Sequence, residues 1–449
     1  MDYLARLASF ACGIRVADLP ASTVKASKLV LLDTMGAIVA GSALPENGRL
    51  ARMAARRAPH GSSSLLGHAL KADSFLAAFT NATAGVALEM DEGNRLGGGH
   101  PAIHVIPGAL AVAEEMGADG GRLLESVIAG YEIGSRIGGA TLARPNVHSH
   151  GTWGTISTAA AVARLNDLAA DDMRRVINLS ASMSPANTWT PALEGATIRN
   201  AYPGRSGLEG ILAVDLLRAG FTALEDAPSD VYGTILADRF EPEEAVRGLG
   251  EHYRIEQNYF KLHACCRMNH PALDAIMALR AESKLTAEQV ARVQITSVPF
   301  GLRMAEAAPT NMLGAKFSIP YAVAAALVLG RTDVAAFEES RLADPRIRNL
   351  AARVEIAADP EMALKRTDYP TAEVRITLGD GRVLSRKTGV VRGDAVNPVA
   401  QDEIVAKFHS LAGGPLGAAR AREIVEVVEG MDGLKDIRDL TALLVPTPA

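Results

Sequence analysis

The sequence predicts a mainly helical protein with a second, smaller α+β domain, and three observations carry that expectation. Apolar residues recur at helical spacing through most of the first 266 residues; alternating β-branched runs begin near residue 285; helical spacing returns after about residue 395. The expected organisation is an all-helical domain over 1–266, a smaller α+β domain over 267–395, and a return of the chain to the helical domain over 396–449.

Taken in order, Ser22-Thr23 is placed to cap a helix through SKLVLLDTMGAIVAGS, and Ser74 to open FLAAFTNATAGVALEM. Helical patterns continue through AIHVIPGALAVAEEM, LLESVIAGYEIGSRI, ISTAAAVARL and GLEGILAVDLLRAG, where Ala, Gly and Ser let neighbouring helices approach closely. Strand-like alternation then marks ARVQITSVPF, ARVEIAAD and TAEVRITLGDGRVLSRKTG, with Gly379-Asp380-Gly381 reading as a hairpin turn. Between them FSIPYAVAAALVLG is a helix that starts at Pro320, and DEIVAKFHSLAGG and AAREIVEVVEGM restore the helical pattern.

Composition narrows the function classes. The chain has 449 residues, is 48% hydrophobic and carries a net charge of −5, so nothing in its charge suggests a nucleic acid or an anionic membrane as partner. The three cysteines, Cys12, Cys265 and Cys266, cannot frame a chain this long with disulfides or hold an iron–sulfur cluster. The N-terminus lacks the apolar core of a signal peptide, and no apolar run reaches the ~20 residues of a membrane span. The expectation is a cytoplasmic globular enzyme.

Of ten histidines, six fall in three short stretches rich in Gly or Pro: 97–104 (GGGHPAIH), 148–155 (HSHGTWGT) and 261–271 (KLHACCRMNHP). Such loop–helix junctions present side chains to a cleft, and imidazole is the group best poised to move protons near neutral pH. Just before the first stretch, Glu89, Asp91 and Glu92 end an apolar helix, where negative charge is disfavoured unless a carboxylate meets a buried cation. His100 and His104 lie four apart, yet no HExxH or third spaced ligand accompanies them, so no metal is expected. Pro101 makes His100 a lead-in residue to a helix instead. Phosphate-binding loops, dinucleotide fingerprints and the GxSxG elbow are missing from the sequence. Cofactor-free acid–base chemistry on a small anionic substrate remains, with Arg95, Arg199, Lys261, Arg267 and Arg303 as candidate cations and Tyr321 as a possible proton carrier.

At these residues the sequence resembles the MmgE/PrpD family, which contains 2-methylcitrate dehydratases, cis-aconitate decarboxylases and iminodisuccinate epimerases. The resemblance rests on ordered blocks: LLDTMGAIVAGS, NATAGVALEMDEG with GHPAIHVIPGALAVAEE, GYEIGSRIG, HSHGTWGTISTAAAVARL, EGATIRNAYPGRSG, YFKLHACCRMNHPALDA and KFSIPYAVAAALVLG. It implies a homodimer with a large helical domain, a smaller α+β lid domain, and an active site in the cleft between them that works on di- or tricarboxylates without metal or cofactor. By position, His100 matches the family's His-Pro histidine, His148 the histidine before the G-T-x-G turn, Lys261 the lysine before the Cys-rich block and Tyr321 the tyrosine of the FSxPY block. The chain departs from the family where Glu89 stands for an aspartate, Gly93 for a frequent threonine, His150 for a threonine or serine, and Arg199-Asn200 for a lysine-bearing block.

The expected reaction is proton transfer at a carbon next to a carboxylate, as in a hydro-lyase, with epimerisation or decarboxylation as alternatives and an inactive carboxylate-binding protein as the remaining one. Expected catalytic residues are His148 and His100 as acid and base, Asp91 orienting a histidine, Lys261 holding developing charge and Tyr321 as a second proton carrier. Glu89, Asn94, Arg95, His150, Arg199 and Arg267 are expected to bind substrate.

Overall fold

The computed structural model describes residues 2–362 and 369–447. The first helices are built from long apolar runs capped by short polar residues: Asp73 accepts a hydrogen bond from Leu76 N at the start of Ser74–Val86, and Asp119 one from Arg122 N at the start of Gly120–Ala140. The helix Ala21–Ser42 begins one residue before the expected cap, with Pro20 as its lead-in and Ser22 and Thr23 bonded to Glu256 instead. Gly120–Ala140 packs on Gly154–Leu165, which in turn packs on Ala201–Arg218, while Ala21–Ser42 lies between Ser74–Val86 and the C-terminal helix Gln401–Leu416. One apolar core runs through all of them and takes in Phe408, Ile424 and Leu440 from the C-terminal segment. Among the described residues no single helix is long and apolar enough to cross a membrane.

The smaller unit is a four-stranded sheet: β1 (Val290–Ser297), β2 (Val354–Ala358), β3 (Ala372–Leu378) and β4 (Val383–Lys387), in the order β4-β3-β1-β2. β1 and β2 are parallel, so the chain between them makes a crossover that contains the helices Ile319–Leu329 and Pro345–Ala351. β3 buries Ala372, Val374, Ile376 and Leu378 on one face, the period-two pattern of a sheet with one covered side. The β3–β4 turn falls at Gly379–Gly381, where Gly381 takes the left-handed conformation (φ +87°) that favours glycine. His270–Ser283 and Ile319–Leu329 pack against each other, and their apolar residues join the strands in a second core.

The two cores meet at a segment that belongs by sequence to the helical part. Leu88 and Met90, just past Ser74–Val86, lie in the core of the sheet domain, which turns the alternate residues Glu89 and Asp91 the other way, onto Lys261. Glu89 takes φ +54°, a left-handed conformation that costs a residue with a Cβ about 1 kcal/mol or more and persists only where its surroundings hold it.

Candidate active site

A cavity of about 300 Å³ opens between the two units. The helical part contributes Glu89, Asn94, Arg95, His100, His148, His150, Trp189 and Arg199; Tyr259 and Cys266 come from the connection, and Arg267, Phe317 and Asp394 from the sheet side.

Its acidic floor is held from several directions. Lys261 Nζ donates to Glu89 Oε2 at 2.9 Å and to Asp91 Oδ1 at 3.2 Å, and Arg199 Nη1 pairs with Glu89 Oε1 at 2.5 Å. Two further buried lysines fix the backbone of the same segment: Lys316 Nζ donates to the Leu88 carbonyl at 2.8 Å and Lys407 Nζ to the Met90 carbonyl at 2.7 Å. Lys407 also pairs with the buried Asp33 at 2.6 Å. Burial works against the charges of Glu89 and Asp91, but Arg199 and Lys261 at Glu89, and Lys261 and His100 at Asp91, more than offset it and hold both carboxyls below their usual range. For Lys261, burial is likewise outweighed by Asp91 and Glu89, so its ammonium stays charged beyond the ordinary lysine range. Among the described residues no cation answers Glu92: burial, with Asp91 and Asp33 nearby, outweighs a hydrogen bond with Tyr131 and pushes its carboxyl well up. Burial, with a smaller push from the Lys261 charge, brings Lys316 down to about 8 against the pull of Glu89.

Four histidines gather above this floor. The rings of His100 and His150 lie 4.7 Å apart, those of His104 and His150 5.4 Å, and those of His148 and His150 4.9 Å. His100 Nδ1 is 2.6 Å from the Glu92 carbonyl oxygen and 3.0 Å from Asp91 Oδ2. A carbonyl only accepts, so Nδ1 carries the proton and, in the neutral ring, Nε2 keeps its lone pair. His148 is set the other way. Its Nδ1 accepts from the His150 backbone N–H at 3.0 Å, so the neutral ring bears its proton on Nε2, which has no partner among the described residues. Burial first, then Arg199 and His100, drive His148 and His150 well below the ordinary imidazole range and keep both neutral. His148 also lies against Trp189, with ring centroids 4.0 Å apart. His104 props the loops: it donates to the His100 carbonyl, accepts from Gly151 N, and burial lowers it to about 4.

Several expected residues stand differently from the sequence reading. Tyr321 is not beside the cavity. It sits in the second core with its hydroxyl donating to the Ala336 carbonyl at 3.1 Å, because the helix opened by Ser318 turns that face into the sheet domain. Lys261 is fully buried behind the floor and faces protein carboxylates rather than the cavity. Asn94 reaches the wall, but its amide is committed to the Arg254 carbonyl, Tyr131 Oη and Gly97 N, which shapes the Gly97–Gly99 turn. Arg303 bonds the Pro145 carbonyl away from the site. Arg267 lines the cavity, pairs with Asp394 at 3.2 Å and stacks over Tyr259 at 4.3 Å; Arg95 stacks over Tyr369 at 4.1 Å.

The wall also includes residues that the sequence reading did not single out: Trp189, Tyr259, Phe317 and Asp394. The Gly93 departure gives a clue to one of them. Gly93 pairs with Tyr259 across a two-residue ladder, and a Cβ at 93 would lie 2.3 Å from the tyrosine Cζ, so Tyr259 takes the space that a threonine side chain would need. Asp91, His100 and His150 bring one ligand atom each within 4.8 Å of one another, the spacing of a possible metal site. The donor set suits a cation poorly. Lys261 holds Asp91, Arg199 Nη2 faces His150 Nε2 at 3.5 Å, and His100 Nδ1 already donates its proton.

Fold and site together define a two-domain protein with an acid–base cavity of buried histidines and carboxylates at its domain seam. Residues 5–239 match the MmgE/PrpD N-terminal domain and residues 263–432 the MmgE/PrpD C-terminal domain, and the chain belongs to the MmgE/PrpD family. Among its relatives, a cis-aconitate decarboxylase of Aspergillus terreus is 24% identical over 445 residues, which span 92% of this chain and 90% of that protein. The human cis-aconitate decarboxylase is 22% identical over 451 residues, spanning 96% and 92%, and the Mus musculus protein 23% identical over 422 residues, spanning 89% and 84%.

Proposed function

We propose that the protein is a lyase that moves a proton at the carbon next to a carboxylate of a small organic acid, with no metal or organic cofactor, and that it works as a cytoplasmic homodimer. The observation that carries the reaction type is the pair of opposed tautomers: His100 offers a lone pair at Nε2 and His148 a proton at Nε2 on the wall of one cavity. In this reading His100 removes the α-proton, and Asp91 steadies the imidazolium that forms. The electron pair left on carbon spreads into the carboxylate, where Arg199 stabilises the developing charge. It then returns to expel hydroxide from the neighbouring carbon, and His148 supplies the proton that turns the leaving group into water. Lys261 acts through Glu89 and Asp91 as a positioning residue.

Decarboxylation is the second reading, favoured by the names of the relatives. There a proton is delivered to an alkene carbon while the bond to a carboxylate breaks and CO₂ leaves. One experiment separates these. The protein is incubated in D₂O with hydroxy- and unsaturated mono-, di- and tricarboxylates and followed by proton NMR. A new olefinic signal with loss of the α-proton supports dehydration, and deuterium in a product one carbon shorter supports decarboxylation. Absence of any exchange or product, with ligands still protecting the fold against heat, contradicts the enzymatic reading.

A further inference from the structure

Five side chains of the cavity wall, Trp189, Cys266, Met268, Phe317 and Pro370, carry no charge and little polarity. They arrive from separate places in the chain. Trp189 leads into the short helix Thr190–Glu194, Met268 sits in the turn Arg267–Asn269, and Phe317 ends Met312–Lys316. Trp189 and Met268 stay partly exposed, although both pack against the second core. Burial first, then Glu89, raises the Cys266 thiol to about 11, so it stays protonated and behaves as a small apolar group.

This apolar surface begins beside the acid–base groups. Trp189 lies against His148, with ring centroids 4.0 Å apart, and is backed by Phe300 at 5.0 Å. The Phe317 ring lies 5.2 Å from the guanidinium carbon of Arg199. A substrate held by Arg199 and His148 therefore carries its next substituent toward an indole and a phenyl ring. Indole surface open to a cleft gains free energy when an apolar group covers it, whereas a polar group placed there loses its water and finds no partner in return. A cavity of about 300 Å³ stands at the small end of ligand sites, which keeps that substituent short.

We propose that Trp189, Phe317 and Met268 form a specificity subsite for an apolar substituent, so the substrate is a small organic acid with a short alkyl or aryl group beside its reacting carbons. This deepens the reading of the cavity as an acid–base site for small organic acids and rests on it. The test titrates acids without a leaving group into the intact protein at constant ionic strength, followed by ligand-observed NMR. Acetate, propanoate, butyrate and pentanoate form a series of equal charge. To these are added 4-hydroxybutyrate, in which a hydroxyl replaces the terminal methyl of pentanoate, and glutarate, in which a carboxylate does.

Affinity should rise about threefold to fourfold with each methylene, and pentanoate should bind about tenfold tighter than 4-hydroxybutyrate. Trp189→Ala should flatten the series, bringing pentanoate within about threefold of acetate. Met268→Gln, of equal length, should narrow the gap between pentanoate and 4-hydroxybutyrate. If Trp189→Ala fails to fold, Met268→Gln carries the comparison, and the wild-type order needs neither. A flat series, 4-hydroxybutyrate or glutarate bound as tightly as pentanoate, or no binding by any of these acids overturns the inference. The predicted series without turnover or proton exchange on any acid in D₂O leaves the inference standing and removes the lyase reading; turnover of an acid together with a flat series does the reverse.

Discussion

At His100 the Nδ1–H donates a hydrogen bond to a carbonyl oxygen beside an ionised aspartate; at His148 the same nitrogen accepts a hydrogen bond from a backbone N–H. Both rings line one cavity, and yet their free edges are chemical opposites, a lone pair on one and an N–H on the other. The difference lies in the loops that carry them. The 89–100 loop turns carbonyl and carboxylate oxygens toward its histidine, whereas the His148–His150 turn folds an amide back onto its own ring. Two copies of one residue thus present a lone pair and an N–H to the same cavity through the backbone beside them.

The sharpest way to break this pairing is to remove either ring. His100→Gln and His148→Gln should each lower the rate of α-proton exchange or turnover by about 10²–10⁴, with the fold checked by circular dichroism. Either variant keeps more than a tenth of the wild-type rate only if the pairing is wrong. Next in size is the floor that sets His100. Lys261→Met leaves Glu89 and Asp91 buried against too little positive charge, so chemical denaturation should show a loss of about 3–5 kcal/mol. A loss under about 1 kcal/mol would mean that other cations carry the floor.

The neutral histidines make a pH prediction of intermediate size. The folded pKa values of His104, His148 and His150 are lowered, so the unfolded chain takes up protons that the folded one refuses. The stability they contribute is present above the ordinary value of ~6.5 and is lost as pH falls from there, toward about 4 for His104. From pH 7 to pH 5 His104 should cost about 2 kcal/mol, with His148 and His150 acting in the same direction, visible as a falling Tm in calorimetry. A flat Tm over that range would show that the rings are solvated. The smallest effect belongs to Tyr321→Phe, which loses one buried hydrogen bond, about 1 kcal/mol, and should leave turnover within about threefold of wild type. A hundredfold drop would return Tyr321 to the proton-transfer machinery.

Much of this was legible in residue order. Alternation located β1 to β4, Gly379-Asp380-Gly381 located the hairpin, and the misplaced acids of 89–92 pointed to buried cations. Local signals of this kind survive because hydrogen bonding and apolar period act over a few residues. What escaped depends on long-range contact. Nothing near Lys316 or Lys407 in sequence shows that each ends on a carbonyl of the Leu88–Met90 segment. Nor does anything in FSIPY tell which face of its helix enters the sheet core, so Tyr321 looked like a site residue. Trp189 and Asp394 carry no motif, and Gly93 was legible only as a departure until Tyr259 was seen to fill its space.

The two opposed tautomers should be set before any substrate arrives. Long-range proton–nitrogen NMR on protein labelled with ¹⁵N-histidine reads the tautomer of each ring directly, with His100→Gln and His148→Gln assigning the signals. At pH 7.5 His100 should show a protonated Nδ1 and His148 a neutral ring protonated at Nε2. The same tautomer on both rings, or a charged His148, would contradict that assignment.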